Sequence, residues 1–94
     1  MLGFHLFTFE FINMDQQLFI DILGWGGGIA LVIAFGLNSM GKIEAQSKSY
    51  QFLNLFGGIA LIANTAFYGA FPSTFVNVIW VFIAMVALWK IFEA

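Results

Sequence analysis

Cysteine and arginine are absent, and proline and histidine occur once each, as Pro72 and His5, in a chain of 94 residues. Without cysteine there can be no disulfide and no thiolate metal site. Three cations, Lys42, Lys48 and Lys90, are too few to build a nucleic-acid surface. Charge of either sign is scarce, at 9% of residues against about 25% in an ordinary soluble domain. His5 has no second nitrogen or thiolate near it in sequence, so a metal site is not expected. The acids are few and peripheral, and no serine or threonine has a histidine placed to activate it. No catalytic residue, no cofactor and no enzyme activity are therefore expected.

What the chain has is apolar length. Hydrophobic residues make up 62% and aromatic residues 19%, more than a fold of this size could hide from water. Between Lys48 and Lys90 run 41 residues without a charge, and between Asp21 and Lys42 run 20. A hydrocarbon core about 30 Å thick is crossed by roughly 20 apolar residues at 1.5 Å each. The shorter stretch therefore makes one span and the longer makes two, divided at Gly69-Ala70-Phe71-Pro72-Ser73-Thr74. The expectation is an all-α integral membrane protein, a three-transmembrane-helix bundle with helices at about 18–39, 49–69 and 73–92. Asn38-Ser39-Met40-Gly41 reads as the first helix stop, and Ser73 or Thr74 as the N-cap of the third helix.

Residues 1–17 form a separate aromatic segment ahead of the bundle at 18–94. Phe4, Phe7, Phe9, Phe11 and Ile12 are interrupted by His5, Thr8 and Glu10, a pattern that suits a membrane interface better than a span. Met14 is an alternative natural start. Lys42 and Lys48 flank the loop between the first two spans and Lys90 closes the third, while Glu10, Asp15 and Asp21 lie on the N-terminal side. The positive-inside rule then places that loop and the C-terminus in the cytoplasm and the N-terminus outside, in an inner (cytoplasmic) membrane.

Small residues carry the helix contacts where lipid supplies no hydrophobic drive. Gly24 and Gly28 form a small-xxx-small pair on the first helix, and Gly57-Gly58 repeats the device on the second. Polar groups in the spans must find partners. Asn38 and Asn54 read as capping or headgroup-facing residues. Asn64, Thr65 and Asn77 lie near the outer boundary, with Asn64 and Asn77 placed to face each other across the helix pair. Asn77, Trp80 and Ala84 share one face of the third helix by spacing, putting an amide beside an indole. That arrangement serves either an interhelical hydrogen bond or a pocket for a small neutral solute.

Three spans, a short lysine-bearing loop, Tyr68-Gly69 closing the second span, and Pro72 followed by Asn77-Val78 resemble the SemiSWEET half-transporters of the MtN3/PQ-loop superfamily, over roughly Ile22 to Ile91. Asn54-Leu55-Phe56-Gly57 and Val76-Asn77-Val78-Ile79-Trp80 are more similar still to uncharacterised three-helix bacterial membrane proteins. The half-transporter resemblance implies a bundle with the third helix between the first and second, a homodimer forming one sugar path, and Asn77 as the solute-binding asparagine. The family's binding tryptophan falls at Thr65 here, and the Pro-Gln hinge of the first helix is missing. Two functions are thus expected as alternatives. One is a half-transporter-like protein passing a small neutral solute as a homodimer, and the other is an accessory or structural subunit packed against a larger membrane complex.

Overall fold

Residues 14–93 are described by a computed structural model, and nearly all of them are helical: α1 (Met14–Ser39), α2 (Lys48–Phe67) and α3 (Phe71–Glu93). The aromatic segment and His5 lie outside the described residues, apart from Met14–Gln17, which belong to α1 instead of preceding it. Asp15 in the first turn of α1 suits the positive end of the helix dipole.

The first two helices stop by the same device. Gly41 and Gly69 adopt left-handed φ values of 73° and 72°, a conformation that costs a side-chain-bearing residue energy. After α1, Gly41 N–H donates to the Asn38 carbonyl (3.1 Å) and Lys42 N–H to the Leu37 carbonyl (2.8 Å). After α2, Gly69 N–H donates to Ala66 (3.1 Å) and Ala70 N–H to Thr65 (2.8 Å). Both are Schellman closures, which satisfy carbonyls that the helix end would leave bare. The intervening loop is tied down by the Asn38 amide, which donates to the Ile43 carbonyl at 3.0 Å. Ser47 caps α2 by accepting from Tyr50 N–H at 3.2 Å.

α3 begins two residues before the expected cap. Pro72 lies inside its first turn, where its missing N–H would have had no helical partner and its fixed φ already suits the helix. Ser73 and Thr74 are consequently first-turn residues and not N-caps. The Thr74 hydroxyl lies within 3.0 Å of the Ala70 carbonyl it can donate to.

α2 lies between the other two helices. α1 and α3 each pack along it, and neither approaches the other. The half-transporter resemblance implied the third helix in that middle place. Here α2 holds that place: Gly27 of α1 seats directly against Gly57, and the loop after α1 and the turn at 68–70 each join antiparallel neighbours. Gly57 faces α1 and Gly58 faces α3. Successive residues on a helix point about 100° apart, so this one pair opens both sides of α2.

The buried set is small-sided: Gly27, Ala34, Gly57, Gly58, Ala84, Leu88 and Asn54. Large apolar side chains such as Trp25, Val32, Phe82 and Trp89 are on the outside. α1 and α3 are long and apolar enough to cross a membrane, and only 11% of each such stretch is buried, unlike the core helix of a soluble protein. α2 is shorter, at 20 residues, and carries Gln51, Asn54, Asn64 and Thr65 along its length, so it falls outside that class.

At the α1–α2 crossing, a Cβ on Gly27 would stand 2.7 Å from the Gly57 carbonyl oxygen and 2.9 Å from the Ala60 Cβ. A Cβ on Gly28 would meet nothing within 4 Å. Within the chain, the contact glycines of α1 are therefore Gly24, against Asn64, and Gly27, against Gly57, while Gly28 faces outward. Gly27→Ala is expected to destabilise the fold by about 1–3 kcal/mol, since backbone must move to admit the methyl. Gly28→Ala is expected to be neutral or stabilising by up to ~1 kcal/mol through helix propensity. Unfolding of the two variants in detergent measures the contrast, and equal stabilities would contradict the packing.

Candidate functional site

At the turn end of the molecule, near residues 68–70, α1 and α2 are joined by polar groups. The absence of a side chain on Gly24 leaves the space that the Asn64 amide fills, because a Cβ there would overlap it. The Asn64 amide donates to the Ile20 carbonyl on α1 at 2.9 Å. One turn further on, the Tyr68 hydroxyl donates to the Asp21 carboxylate. Asp21, Gly24, Trp25 and Asn64 line a cavity of about 200 Å³.

The α2–α3 side has its own link at the same end. The Thr74 hydroxyl lies 2.8 Å from the Thr65 hydroxyl, which itself donates back to the Leu61 carbonyl at 2.8 Å. Next to this pair, Thr65, Pro72, Ser73 and Asn77 line an open cavity of about 470 Å³. Further along α3, Trp80 and Ala84 line a smaller cavity of about 180 Å³ with Tyr50, Gln51 and Asn54 of α2. At the loop end lies a third of about 550 Å³, bounded by Ala45, Gln46, Gln51, Ala87, Lys90 and Ile91.

The expected polar residues are thus divided three ways. Asn64 turns to α1 and does not face Asn77. Thr65 and Asn77 share one cavity. Trp80 belongs to another, and the amide that accompanies it is Asn54. A helix face explains the exchange, because Trp80 lies nearly a full turn past Asn77 and its ring extends toward the opposite helix at the level of Gly58, whose missing Cβ would stand 3.8 Å from Trp80 Cδ1. Asn54, expected to cap or to meet headgroups, is 5% exposed. Asn38 does perform a capping role, on the loop.

Among the described residues, no three His, Cys, Asp or Glu side chains gather as a metal site would require. What the site offers is neutral hydrogen-bonding groups between helices, suited to holding helices or small polar groups in place.

A protein-family model matches residues 20–94, all three helices apart from the first turns of α1. The chain belongs to that family. No curated protein and no solved structure matches it.

Sequence reasoning missed Asn54, Thr74 and the Asp21–Tyr68 pair. The one available signal was spacing: Tyr50, Asn54, Gly58, Leu61 and Thr65 recur at three- and four-residue intervals, a single face of α2.

The division of roles has a measurable consequence. Asn64→Ala removes an interhelical bond and is expected to cost about 1 kcal/mol. Asn77, whose amide makes no hydrogen bond among the described residues, is expected to tolerate alanine with a change of under about 0.5 kcal/mol. Reversal of that order in unfolding measurements would show the amides wrongly assigned.

Proposed function

We propose that this protein is a non-enzymatic, three-helix integral protein of the bacterial cytoplasmic membrane that acts as a structural subunit, packing against a further membrane helix through the outer face of α1. The observation that carries the reading is the set of glycines left over. Gly26, Gly28 and Gly36 have nothing within 4 Å of the place a Cβ would occupy. Each glycine in a helix costs about 1 kcal/mol relative to alanine, and the chain's own packing returns nothing for these three. Gly28 and Gly36 lie on one face of α1, on either side of the exposed Val32, leaving two gaps where a second helix can approach in lipid with Val32 as the knob between them.

A solute passage has less support. The asparagine and tryptophan that such a path would combine, Asn77 and Trp80, line separate cavities. The membrane setting is supported by the apolar length and low burial of α1 and α3. α2 crosses with them in this reading, its amides screened on two sides by its neighbours.

The test is association separated from folding. Gly28→Ile with Gly36→Ile is expected to reduce the assembly extracted in mild detergent to the single chain, with the melting temperature of that chain unchanged. An unaltered elution position would show that lipid alone meets this face. A second copy and a larger complex are told apart by the mass of the parent assembly.

Orientation is tested in a chain that has no cysteine of its own. Single cysteines at Ser47 and Ser73, treated in intact cells with an impermeant thiol reagent, are expected to label at 73 and not at 47. The opposite pattern would invert the topology.

A further inference from the structure

We propose that the loop-end half of the α2–α3 seam is a blind, water-filled crevice, in which water from the headgroup region reaches Asn54 and Trp80 and is stopped at Gly58. The inference rests on the membrane setting proposed above, and neither on the orientation nor on the α1 association face.

The first observation is where the polar groups of α2 lie. Tyr50, Gln51, Asn54 and Thr65 share the side turned to α3, whereas Phe56 and Ile59 on the opposite side are exposed and apolar. Asn54 is 5% exposed, and its amide makes no hydrogen bond among the described residues. Every fully enclosed side-chain nitrogen or oxygen among those residues has a partner. The Asn54 amide is therefore unsealed, and it opens onto the cavity of about 180 Å³ that it lines with Gln51, Trp80 and Ala84.

The second observation is how that cavity continues. Gln51 is common to its wall and to the wall of the loop-end cavity of about 550 Å³, where Gln46 and Lys90 lie. The Gln51 amide nitrogen donates to the Ala45 carbonyl at 2.8 Å, while its side-chain oxygen accepts nothing among the described residues. From Lys48, where α2 begins, Asn54 is about 9 Å along the axis at 1.5 Å per residue. In the other direction the way is shut. A Cβ on Gly58 would stand 2.7 Å from Val81 Cγ2, and the next cavity, at Leu61, Thr65 and Asn77, has no lining residue in common with the first.

The chemistry selects the occupant. Hydrocarbon offers an amide no hydrogen bond, so a lipid tail in this volume would leave Asn54 unsatisfied. A bound water needs roughly two to four polar partners. The Asn54 amide, the Gln51 oxygen and the Trp80 indole N–H supply them, and the cavity has room for several waters. A file of waters covers the distance from Gln46 to Asn54 one hydrogen bond at a time, which no single rigid ligand has to span.

The chain has no cysteine, so single cysteines can report the water. A thiol reacts with a methanethiosulfonate as the thiolate, a form that apolar surroundings suppress. Ala87→Cys, Ala84→Cys and Asn54→Cys line the crevice, and Met85→Cys lies at the depth of Ala84 on the exposed side of α3. Each variant is treated with the impermeant reagent methanethiosulfonate ethyltrimethylammonium in membrane vesicles of either sidedness. The three crevice cysteines are expected to react from the side that labels Ser47→Cys and from that side only, with Ala84→Cys about tenfold or more faster than Met85→Cys. Adding Asn54→Leu is expected to slow Ala84→Cys about tenfold and leave Ala87→Cys unchanged. Asn54→Cys against Phe56→Cys supplies the same comparison from α2 should Ala84→Cys not fold. Equally slow reaction at Ala84 and Met85, or a rate at Ala84 that Asn54→Leu leaves unchanged, would overturn the crevice and assign the volume to lipid tails. Reaction of Ala84→Cys from both sides would overturn the blind end. Equally fast reaction at Ala84 and Met85 would overturn the membrane setting and the crevice with it.

Discussion

The crossing of α1 and α2 is backbone to backbone, where Gly27 of α1 meets Gly57 of α2. A Cβ on Gly57 would stand 3.1 Å from the Gly27 carbonyl oxygen, and the reverse distance, from a Gly27 Cβ to the Gly57 oxygen, is 2.7 Å. Neither residue can be anything larger without moving a helix. Among the described residues α1 touches only α2, so within them what locates α1 passes through this crossing and the polar links beside it. The Asn64 bond to Ile20 and the Tyr68 bond to Asp21 lie two to three turns along the same seam, and both need the short interhelical distance that the glycines permit.

The middle position of α2 follows from the same economy of contacts. It is the least apolar of the three helices and the only one covered on two sides. Gly57 and Gly58 admit α1 and α3 respectively, and the polar groups of α2 are then divided between the two seams: Asn64 to α1, Thr65 to α3. Asn54 is buried beside the α3 seam and makes no side-chain hydrogen bond among the described residues. Where the surrounding solvent is hydrocarbon, a helix with amides on several faces belongs in the centre and helices of uniform apolarity belong outside. The exposed tryptophans, phenylalanines and valines of α1 and α3 are consistent with that order.

Much of this was legible in the sequence, for definite reasons. The number and extents of the helices follow from two uncharged stretches and one proline, and the stops at Gly41 and Gly69 follow from glycine's ease at positive φ. Rotation of each helix about its axis was not legible. Of the expected pair, Gly24 meets Asn64 across the α1–α2 seam, whereas the glycine against Gly57 is Gly27, one residue or about 100° of rotation from Gly28. An amphipathic helix of a soluble protein would have corrected that offset through its polar face. α1 is apolar all round, so no polar face sets its phase, and Gly24-Trp25-Gly26-Gly27-Gly28 offers four candidates in five positions. The same lack of phase hid the pairing of Trp80 with Asn54 in place of Asn77. Helix order was misplaced for a different reason: it was carried over from a resemblance, whereas the direct seating of Gly27 on Gly57 is what sets α1 against α2.

The two ends of the bundle are built differently, and the difference gives the cavities their meaning. At the turn end three side-chain links cross between helices, from Asn64, Tyr68 and Thr74. At the loop end the side-chain bonds of Asn38, Ser47 and Gln51 all stay within the loop and the helix ends it joins, and the α2–α3 contact there is carried by Phe52 and Lys48 against Phe92. Toward that end lie the cavity of about 550 Å³ and Asn54, a buried residue whose amide makes no hydrogen bond among the described residues. Side-chain hydrogen bonds between helices are thus confined, among the described residues, to the turn end, and at the loop end the α2–α3 seam is held by rings and by the lysine that packs on one of them.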